Sequence, residues 1–330
     1  MDYLSGWCKS ARRLEGMTAI VTGSNTGIGK ETALDLYLRG CRVIMACRDT
    51  NKANVAKTEI ESLHNSTEGK GSLRVRKLDL SSLSSVREFA SMMLAEEAKI
   101  EILVNNAGVM MAPRGITGDG FETHMVTNHF GHALLTLLLL PMLANCSHAR
   151  VVFVSSMVHE RAELDFGDIN FETTKYDPLM AYCRSKVANI LFARALSQKL
   201  RDHNIANVST YSLHPGVIST EIGRHFSDTF IRGTTWLFNN VLSWFCKSSR
   251  CGAQTTLYCA VDEHCAHQSG LYYSDCAVTA SSEYSQNYDN AEELWKVTLA
   301  GLQLREDTLF GDDAHQLPIQ TENAGKMIFK

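Results

Sequence analysis

Seven short apolar segments recur between residues 17 and 275, and longer stretches with helical periodicity separate them. Segments such as VVFV at 151–154 are continuously apolar, which is typical of strands buried on both faces of a parallel sheet. Their regular alternation with helices predicts an α/β fold, a doubly wound parallel sheet with helices on both faces. The predicted strands span 17–23, 41–47, 73–80, 101–108, 149–156, 207–216 and 270–275.

The 330 residues suffice for one large α/β domain, and no internal repeat or linker divides them. We predict an N-terminal extension over 1–15, a single domain over 16–305 and a disordered tail over 306–330, which lacks periodicity. A net charge of −4 and the absence of a long Lys/Arg run exclude nucleic acid as an expected partner.

The ten cysteines show no paired C-x-x-C spacing, so reduced thiols in a reducing compartment are expected and a metal site is not. The N-terminus lacks the apolar run of a signal peptide, and the longest apolar stretch, 133–144, falls short of the ~20 residues of a spanning helix. That stretch is interpreted as a core helix or a subunit-interface helix of a homodimer. We expect a cytoplasmic protein, or one lying peripherally on the endoplasmic reticulum membrane.

A glycine-rich turn follows the first predicted strand in the sequence IVTGSNTGIGKETA. Glycines allow a tight turn and bring backbone N–H groups close to a pyrophosphate, which side chains would obstruct. Packing between a strand and a helix is the alternative use of such glycines, but the surrounding strand–turn–helix order favours a dinucleotide site. The predicted contacts are Gly23, Ser24, Asn25, Thr26, Gly27, Ile28 and Gly29.

The end of the second predicted strand, in the sequence MACRDTNK, decides which dinucleotide is preferred. Arginine at this place accommodates a 2′-phosphate, whereas an acidic residue accepts from the ribose hydroxyls. Arg48 favours NADP(H), but Asp49 leaves open a ribose contact or an ion pair with Lys52.

Tyr182 and Lys186 lie one helical turn apart in PLMAYCRSKVANIL, which spans 178–191. A tyrosine with an ordinary pKa near ~10 is a poor acid at neutral pH, and a nearby ammonium lowers that pKa. The spacing therefore predicts a tuned proton donor, with a surface pair of no catalytic role as the alternative.

The chain resembles the short-chain dehydrogenase/reductase family over about 16–300. The glycine turn and the Tyr–Lys pair stand in the family's order, together with NNAG at 105–108, Asn128, Ser156 and Pro215–Gly216. TGSNTGIGKETA, MAYCRSKVANILF, HPGVISTEI and GAQTTLYCA most resemble its retinol dehydrogenase branch. The resemblance implies a Rossmann-like fold and a catalytic set in which Tyr182 transfers the proton and Ser156 binds the substrate oxygen. Lys186 would hold the nicotinamide ribose, and Asn128 would hold a water linking that lysine to bulk solvent.

The resemblance also implies further cofactor contacts at strand ends, namely Asp79, Asn106, Ala107, Gly108, Pro215, Gly216 and Thr220. Ser156 and Tyr182 are 26 positions apart, and the segment between them has the composition of an insertion. Retinol-type members carry a similar insertion, and Ser155 remains the alternative to Ser156.

Residues 220–250 occupy the position of a substrate lid in the family, and a large apolar lid suits a bulky hydrophobic aldehyde, ketone or alcohol, with retinal or retinol the leading candidate. A core helix and contact with a membrane surface are the alternatives for this segment. Rival functions are a steroid or other lipid carbonyl reductase, and a dinucleotide-bound sensor or scaffold without turnover. The apolar set comprises Phe226, Phe230, Trp236, Leu237, Val241, Leu242, Trp244 and Phe245.

Overall fold

The computed structural model describes residue 2 and residues 5–63, 69–217 and 247–310. Within these residues eight strands form one sheet in the order β3-β2-β1-β4-β5-β6-β7-β8. The first seven strands are parallel to their neighbours, and β8 pairs antiparallel with β7. This is the doubly wound, Rossmann-like architecture that the sequence predicts.

The bounds of the elements follow the predicted alternation closely. The strands are β1 Thr18–Thr22, β2 Arg42–Cys47, β3 Ser72–Lys77, β4 Ile102–Asn105, β5 Ala149–Val154, β6 Val208–Leu213, β7 Leu271–Ser274 and β8 Ala277–Val278. The helices are α1 Gly27–Leu38, α2 Thr50–Ser62, α3 Leu83–Glu96, α4 Thr123–Met125, α5 Gly131–Ala144, α6 Pro178–Asp202, α7 Ser249–Val261, α8 Glu283–Gln286, α9 Tyr288–Leu302 and α10 Glu306–Phe310. A π-helical turn, Val126–Phe130, joins α4 to α5, and a 3-10 helix spans Met157–Arg161.

The central strands are apolar throughout because both faces of the sheet are covered. In β1, Ile20 packs into a core formed with α3, α5, α6 and α9, while Ala19 and Val21 pack into a second core formed with α1, α2 and α7. Successive side chains of a strand point to opposite faces, so one short strand contributes to both cores. Burial of both faces therefore explains the continuous apolar runs.

The strand order reverses between β1 and β4, where β1 pairs with β2 on one side and with β4 on the other. Connections from these two strands leave in opposite directions, which opens a crevice at the carboxyl edge of the sheet. The glycine turn follows β1, and Asn106 follows β4, so both border this crevice.

All seven predicted strands are confirmed, and each end lies within three residues of its predicted position. The two-residue strand β8 was not predicted because Ala277–Val278 is too short for a periodic pattern. A disordered tail from residue 306 is wrong for its first five residues, since Glu306–Phe310 is helical and Phe310 stacks on the ring of Trp295. The remainder of the predicted tail, 311–330, lies outside the described residues.

The apolar stretch 133–144 belongs to α5, which is buried along most of its length. Within the part of the chain that the structure describes, one helical stretch, Thr123–Ala144, is long and apolar enough to cross a membrane. However, 89% of its apolar window is buried inside the protein, as in the core helix of a globular domain. The interpretation of this stretch as a core helix is thus confirmed.

Candidate active site

The glycine turn packs directly on the segment that follows β4. Gly23 has φ +65°, and a Cβ there would lie 2.9 Å from the Cα of Ala107. A Cβ on Gly29 would lie 2.5 Å from Asn106 Nδ2, so neither position accepts a side chain. The turn leads into α1, whose first residue is Gly27. This narrow, side-chain-free cradle at a helix N-terminus fits the pyrophosphate of a dinucleotide.

Thr22, the last residue of β1, binds the segment after β4 that lines the cradle. Its hydroxyl oxygen accepts hydrogen bonds from the backbone amides of Asn106 and Ala107, both at 2.9 Å. Asn106 Nδ2 also donates to the Thr22 carbonyl at 2.8 Å. The end of β1 therefore fixes the NNAG segment as a rigid floor beside the glycine turn.

Arg48 and Asp49 are both exposed after β2, but their roles differ. Asp49 is the N-cap of α2, and its carboxylate accepts from the backbone amide of Lys52 at 3.0 Å. Capping is a sufficient structural reason for an aspartate at this place. Arg48 directly follows β2, so its guanidinium is an exposed cation at the carboxyl end of this strand.

The remaining predicted cofactor residues lie at strand ends along the same edge. Asp79 follows β3, and its carboxylate accepts from the amide and the hydroxyl of Ser81 at 3.0 and 2.6 Å. Pro215 and Gly216 follow β6, and Gly216 adopts φ +94°. Thr220 and the apolar set of the predicted lid lie outside the described residues.

Asn128 is fully buried within the π-helical turn before α5. Its Oδ1 accepts from the amide of Val109 at 2.8 Å, and its Nδ2 donates to the Val109 carbonyl and to the Ser185 hydroxyl at 3.0 and 2.9 Å. The side-chain amide thus joins the segment after β4 to α6. A single π turn inside a helix is frequent at functional sites.

Tyr182 and Lys186 lie one turn apart in α6, as predicted. Asp177 caps this helix by accepting from the amides of Leu179 and Met180 at 2.8 and 3.0 Å, and Pro178 fits the first turn. The Lys186 ammonium donates to the Val154 carbonyl at 2.9 Å and lies 5.6 Å from the centre of the Tyr182 ring. Both side chains are buried.

The predicted lowering of the Tyr182 pKa is wrong for this structure. Burial raises the pKa of Tyr182 to about 12, and the Ser156 hydroxyl offsets only part of that effect. Burial also lowers the pKa of Lys186 to about 8, since the interior disfavours the ammonium. Desolvation of both groups therefore outweighs the attraction that the spacing alone suggests.

The two adjacent serines after β5 contact different groups. The Ser155 hydroxyl donates to the Lys186 carbonyl at 2.6 Å and is buried. The Ser156 hydroxyl instead interacts with the phenol of Tyr182. Ser156, not Ser155, is therefore placed beside Tyr182.

A buried polar cluster that was not predicted supports the region next to Tyr182. The Nδ1 of His124 lies 2.8 Å from a carboxylate oxygen of Glu122, and the Tyr176 hydroxyl donates to that oxygen at 3.1 Å. His124 Nε2 accepts from the amide of Ala112 at 3.1 Å, and its ring meets the Tyr182 ring edge-on at 6.4 Å. The signal was present, because FETHMVTNHFGH places polar residues in an apolar helical stretch.

One carboxylate makes several hydrogen bonds within the long segment between Ser156 and Tyr182. Asp168 accepts hydrogen bonds from the amides and hydroxyls of Thr173 and Thr174 and from the amide of Glu172. These donors hold the pKa of Asp168 well below its usual range. Residues 168–174 therefore form a hydrogen-bonded turn ahead of α6.

The sequence is similar to those of known proteins over most of its length. A family model for short chain dehydrogenase matches residues 17–229. The chain is 45% identical to retinol dehydrogenase 11 of Homo sapiens, over 89% of this chain and 88% of that protein. It is 45% identical to retinol dehydrogenase 12 of Homo sapiens, over 92% of each protein.

A solved structure shares the whole fold. An uncharacterized protein from Mycobacterium paratuberculosis superposes with a TM-score of 0.71 at 31% identity, over 91% of this chain and 99% of that chain. The family match, together with the cradle at the carboxyl edge, indicates an enzyme that binds a nicotinamide dinucleotide. The chain belongs to the short-chain dehydrogenase family, in its retinol dehydrogenase branch, and is an oxidoreductase.

Proposed function

We propose that the protein reduces a hydrophobic aldehyde or ketone to its alcohol with NADPH, and that retinal is its leading substrate. The observation that carries the proposal is the meeting of Tyr182, Lys186, Ser156 and Asn128 at the carboxyl edge, beside the glycine cradle. A protein that only sensed the dinucleotide would have no need of a buried proton donor beside it.

Each catalytic side chain has a distinct task in carbonyl reduction. NADPH, when bound, would supply the hydride. Tyr182 then donates its phenolic proton to the carbonyl oxygen, where negative charge develops. Ser156 donates a hydrogen bond to the same oxygen, as an oxyanion stabiliser does. Lys186 contributes its positive charge beside the tyrosine, and Asn128 fixes the backbone of the segment after β4 against α6.

Burial keeps Tyr182 protonated at neutral pH. With a pKa of about 12 the residue is a phenol at neutral pH and already carries the proton that reduction needs. Oxidation of an alcohol would require the phenolate, which is scarce under the same conditions. The resting protein therefore holds Tyr182 in the acid form, which is the form that carbonyl reduction uses.

Exposed apolar side chains next to the catalytic residues support a lipid-like substrate. Met157 follows Ser156, Leu179 precedes Tyr182 by three positions, and Val217 follows Gly216; their exposures are 46%, 38% and 51%. Large apolar groups at a site suit an apolar ligand better than a sugar or a hydroxy acid. Exposed apolar groups of this kind would also suit contact with a membrane from which a lipid-soluble substrate arrives.

Arg48 supports NADP(H) over NAD(H). An exposed guanidinium after β2 can bind a 2′-phosphate bidentately, and the neighbouring Asp49 is engaged as the cap of α2. We therefore expect the cationic group, rather than the carboxylate, to meet the adenosine ribose.

Steady-state kinetics with a panel of carbonyls tests the proposal. We expect kcat/KM with all-trans-retinal to exceed that with a small ketone such as acetone by at least about tenfold, since apolar burial favours the larger substrate. NADPH should have a lower KM than NADH. A steroid ketone in the same panel distinguishes the rival substrate class.

Each unexpected result rejects a different part of the proposal. Retinal turnover no better than that of acetone would remove retinal as the leading substrate. Equal KM values for the two dinucleotides would reject the assignment of Arg48 to the 2′-phosphate. Tight dinucleotide binding without turnover of any carbonyl would favour a sensor.

A further inference from the structure

We propose that His132 is a positioning residue, whose imidazole links the backbone carbonyl of Asn128 to the Thr22 hydroxyl. It thereby joins the π-helical turn that carries Asn128, here called the catalytic turn, to the segment Asn106–Ala107, here called the dinucleotide floor. The ring is fully buried at the start of α5. Its Nδ1 lies 3.0 Å from the Asn128 carbonyl oxygen, and its Nε2 lies 2.9 Å from Thr22 Oγ1. This inference rests on the proposed function, because the residues that it joins are those of the proposed site.

The partners of the ring determine where its hydrogen lies. A carbonyl oxygen only accepts, so Nδ1 must carry the hydrogen. Nε2 then accepts, and the Thr22 hydroxyl must donate to it. The assignment is consistent at Thr22, because the amides of Asn106 and Ala107 already donate to that oxygen.

The neutral ring is maintained by its surroundings. Burial and the nearby Lys186 cation lower the pKa of His132 to about 3. A second proton on Nε2 would face the Thr22 hydroxyl and force its hydrogen toward the Val104 carbonyl, which is 3.4 Å away. The link therefore stays in one hydrogen-bonded state at neutral pH.

The link connects two parts of the site that the main chain does not join directly. On one side is the π-helical turn that carries Asn128, and on the other is the floor formed by Asn106 and Ala107. A buried ring with both nitrogens engaged has one orientation, so movement of either part disturbs the other. Loss of the hydrogen bond that Nδ1 donates to Asn128 should disturb the catalytic turn. Loss of the hydrogen bond that Nε2 accepts from Thr22 should loosen the dinucleotide floor.

Two substitutions separate these halves. An asparagine amide has about the reach of Nδ1, so His132→Asn keeps a donor for Asn128 but loses the acceptor for Thr22. A glutamine has the reach of Nε2, so His132→Gln does the reverse. We expect His132→Asn to raise the Kd for NADPH about tenfold with a smaller change in kcat, and His132→Gln to lower kcat about tenfold with Kd nearly unchanged.

His129→Gln is the matched control. His129 is also buried, lies one turn earlier, and bonds Thr298 in α9 instead of the dinucleotide floor. We expect a loss of Tm comparable to that of the His132 variants, but Kd for NADPH and kcat within about threefold of the wild-type values. Kd is measured by quenching of protein fluorescence, and Tm by circular dichroism.

The inference requires that His132→Asn mainly changes the Kd for NADPH and that His132→Gln mainly changes kcat. Equal changes in both variants at 132, or changes no larger than in His129→Gln, would overturn it. Failure of both variants to fold while His129→Gln folds would also overturn it, because His132 would then serve only stability. Failure of the proposed function looks different, since the wild-type protein itself would then show no turnover.

Discussion

Replacing Tyr182 by phenylalanine is expected to lower kcat/KM for carbonyl reduction by about 10²- to 10⁴-fold, the usual contribution of a general acid. The substitution removes only the hydroxyl, so the ring still fills its buried place beside Lys186. Affinity for NADPH should stay within about threefold of the wild-type value, because the glycine cradle is untouched. The measurements are steady-state kinetics and a fluorescence titration with NADPH.

Tyr211→Phe provides the control for the loss of a buried phenol. Tyr211 lies in β6, burial likewise raises its pKa to about 12, and its hydroxyl donates to the Cys265 carbonyl at 3.0 Å. We expect this variant to lose about 1 kcal/mol of stability and to keep its kcat. A Tyr182→Phe enzyme as active as Tyr211→Phe would show that the proton comes from another group.

The protein is expected to lose stability between pH 7.5 and 5, which is above the pH range in which carboxylates usually titrate. Burial lowers the pKa of both His129 and His132 from 6.5 to about 3. The stabilising effect of the neutral rings is fully present above pH 6.5 and is lost progressively as the pH falls toward 3, because the unfolded chain binds the protons first. Between pH 7.5 and 5 the two rings together should lose about 4 kcal/mol.

Urea unfolding followed by circular dichroism at pH 7.5 and 5.0 measures this effect. We expect the midpoint to fall by roughly 1 M. In His129→Gln one of the two rings is absent, so the loss of stability between the two pH values should be about 2 kcal/mol smaller than in the wild type. A midpoint that does not move with pH, or a shift of the same size in the variant, would contradict the assignment of the two rings as buried and neutral.

The fold was predictable because its strands are buried on both faces. Continuous apolar runs such as 151–154 give a signal that does not depend on knowing the neighbouring strand. The glycine turn was predictable for a related reason, since Gly23 and Gly29 touch backbone and side-chain atoms of the segment after β4. Sequence spacing placed Tyr182 and Lys186 on one helix correctly.

The pKa shifts of the site residues were harder to predict from sequence, because they depend on how deeply each group is buried. A tyrosine and a lysine at i and i+4 suggest a lowered phenol pKa, but desolvation of Tyr182 reverses the sign. Spacing also does not distinguish Ser155 from Ser156, since only the packed structure shows which hydroxyl bonds the Lys186 carbonyl. The partners of His132 are distant in sequence, so its role had no local signal.

Transfer of deuterium tests most directly that these residues form a dehydrogenase site. The wild-type protein would be given all-trans-retinal and NADPH deuterated at nicotinamide C4, prepared separately as each of the two C4 stereoisomers, and the retinol analysed by mass spectrometry. We predict that one of the two labelled forms passes its deuterium to the alcohol carbon. Retinol that carries no deuterium from either form, or no alcohol at all from any carbonyl of the panel, would contradict this account.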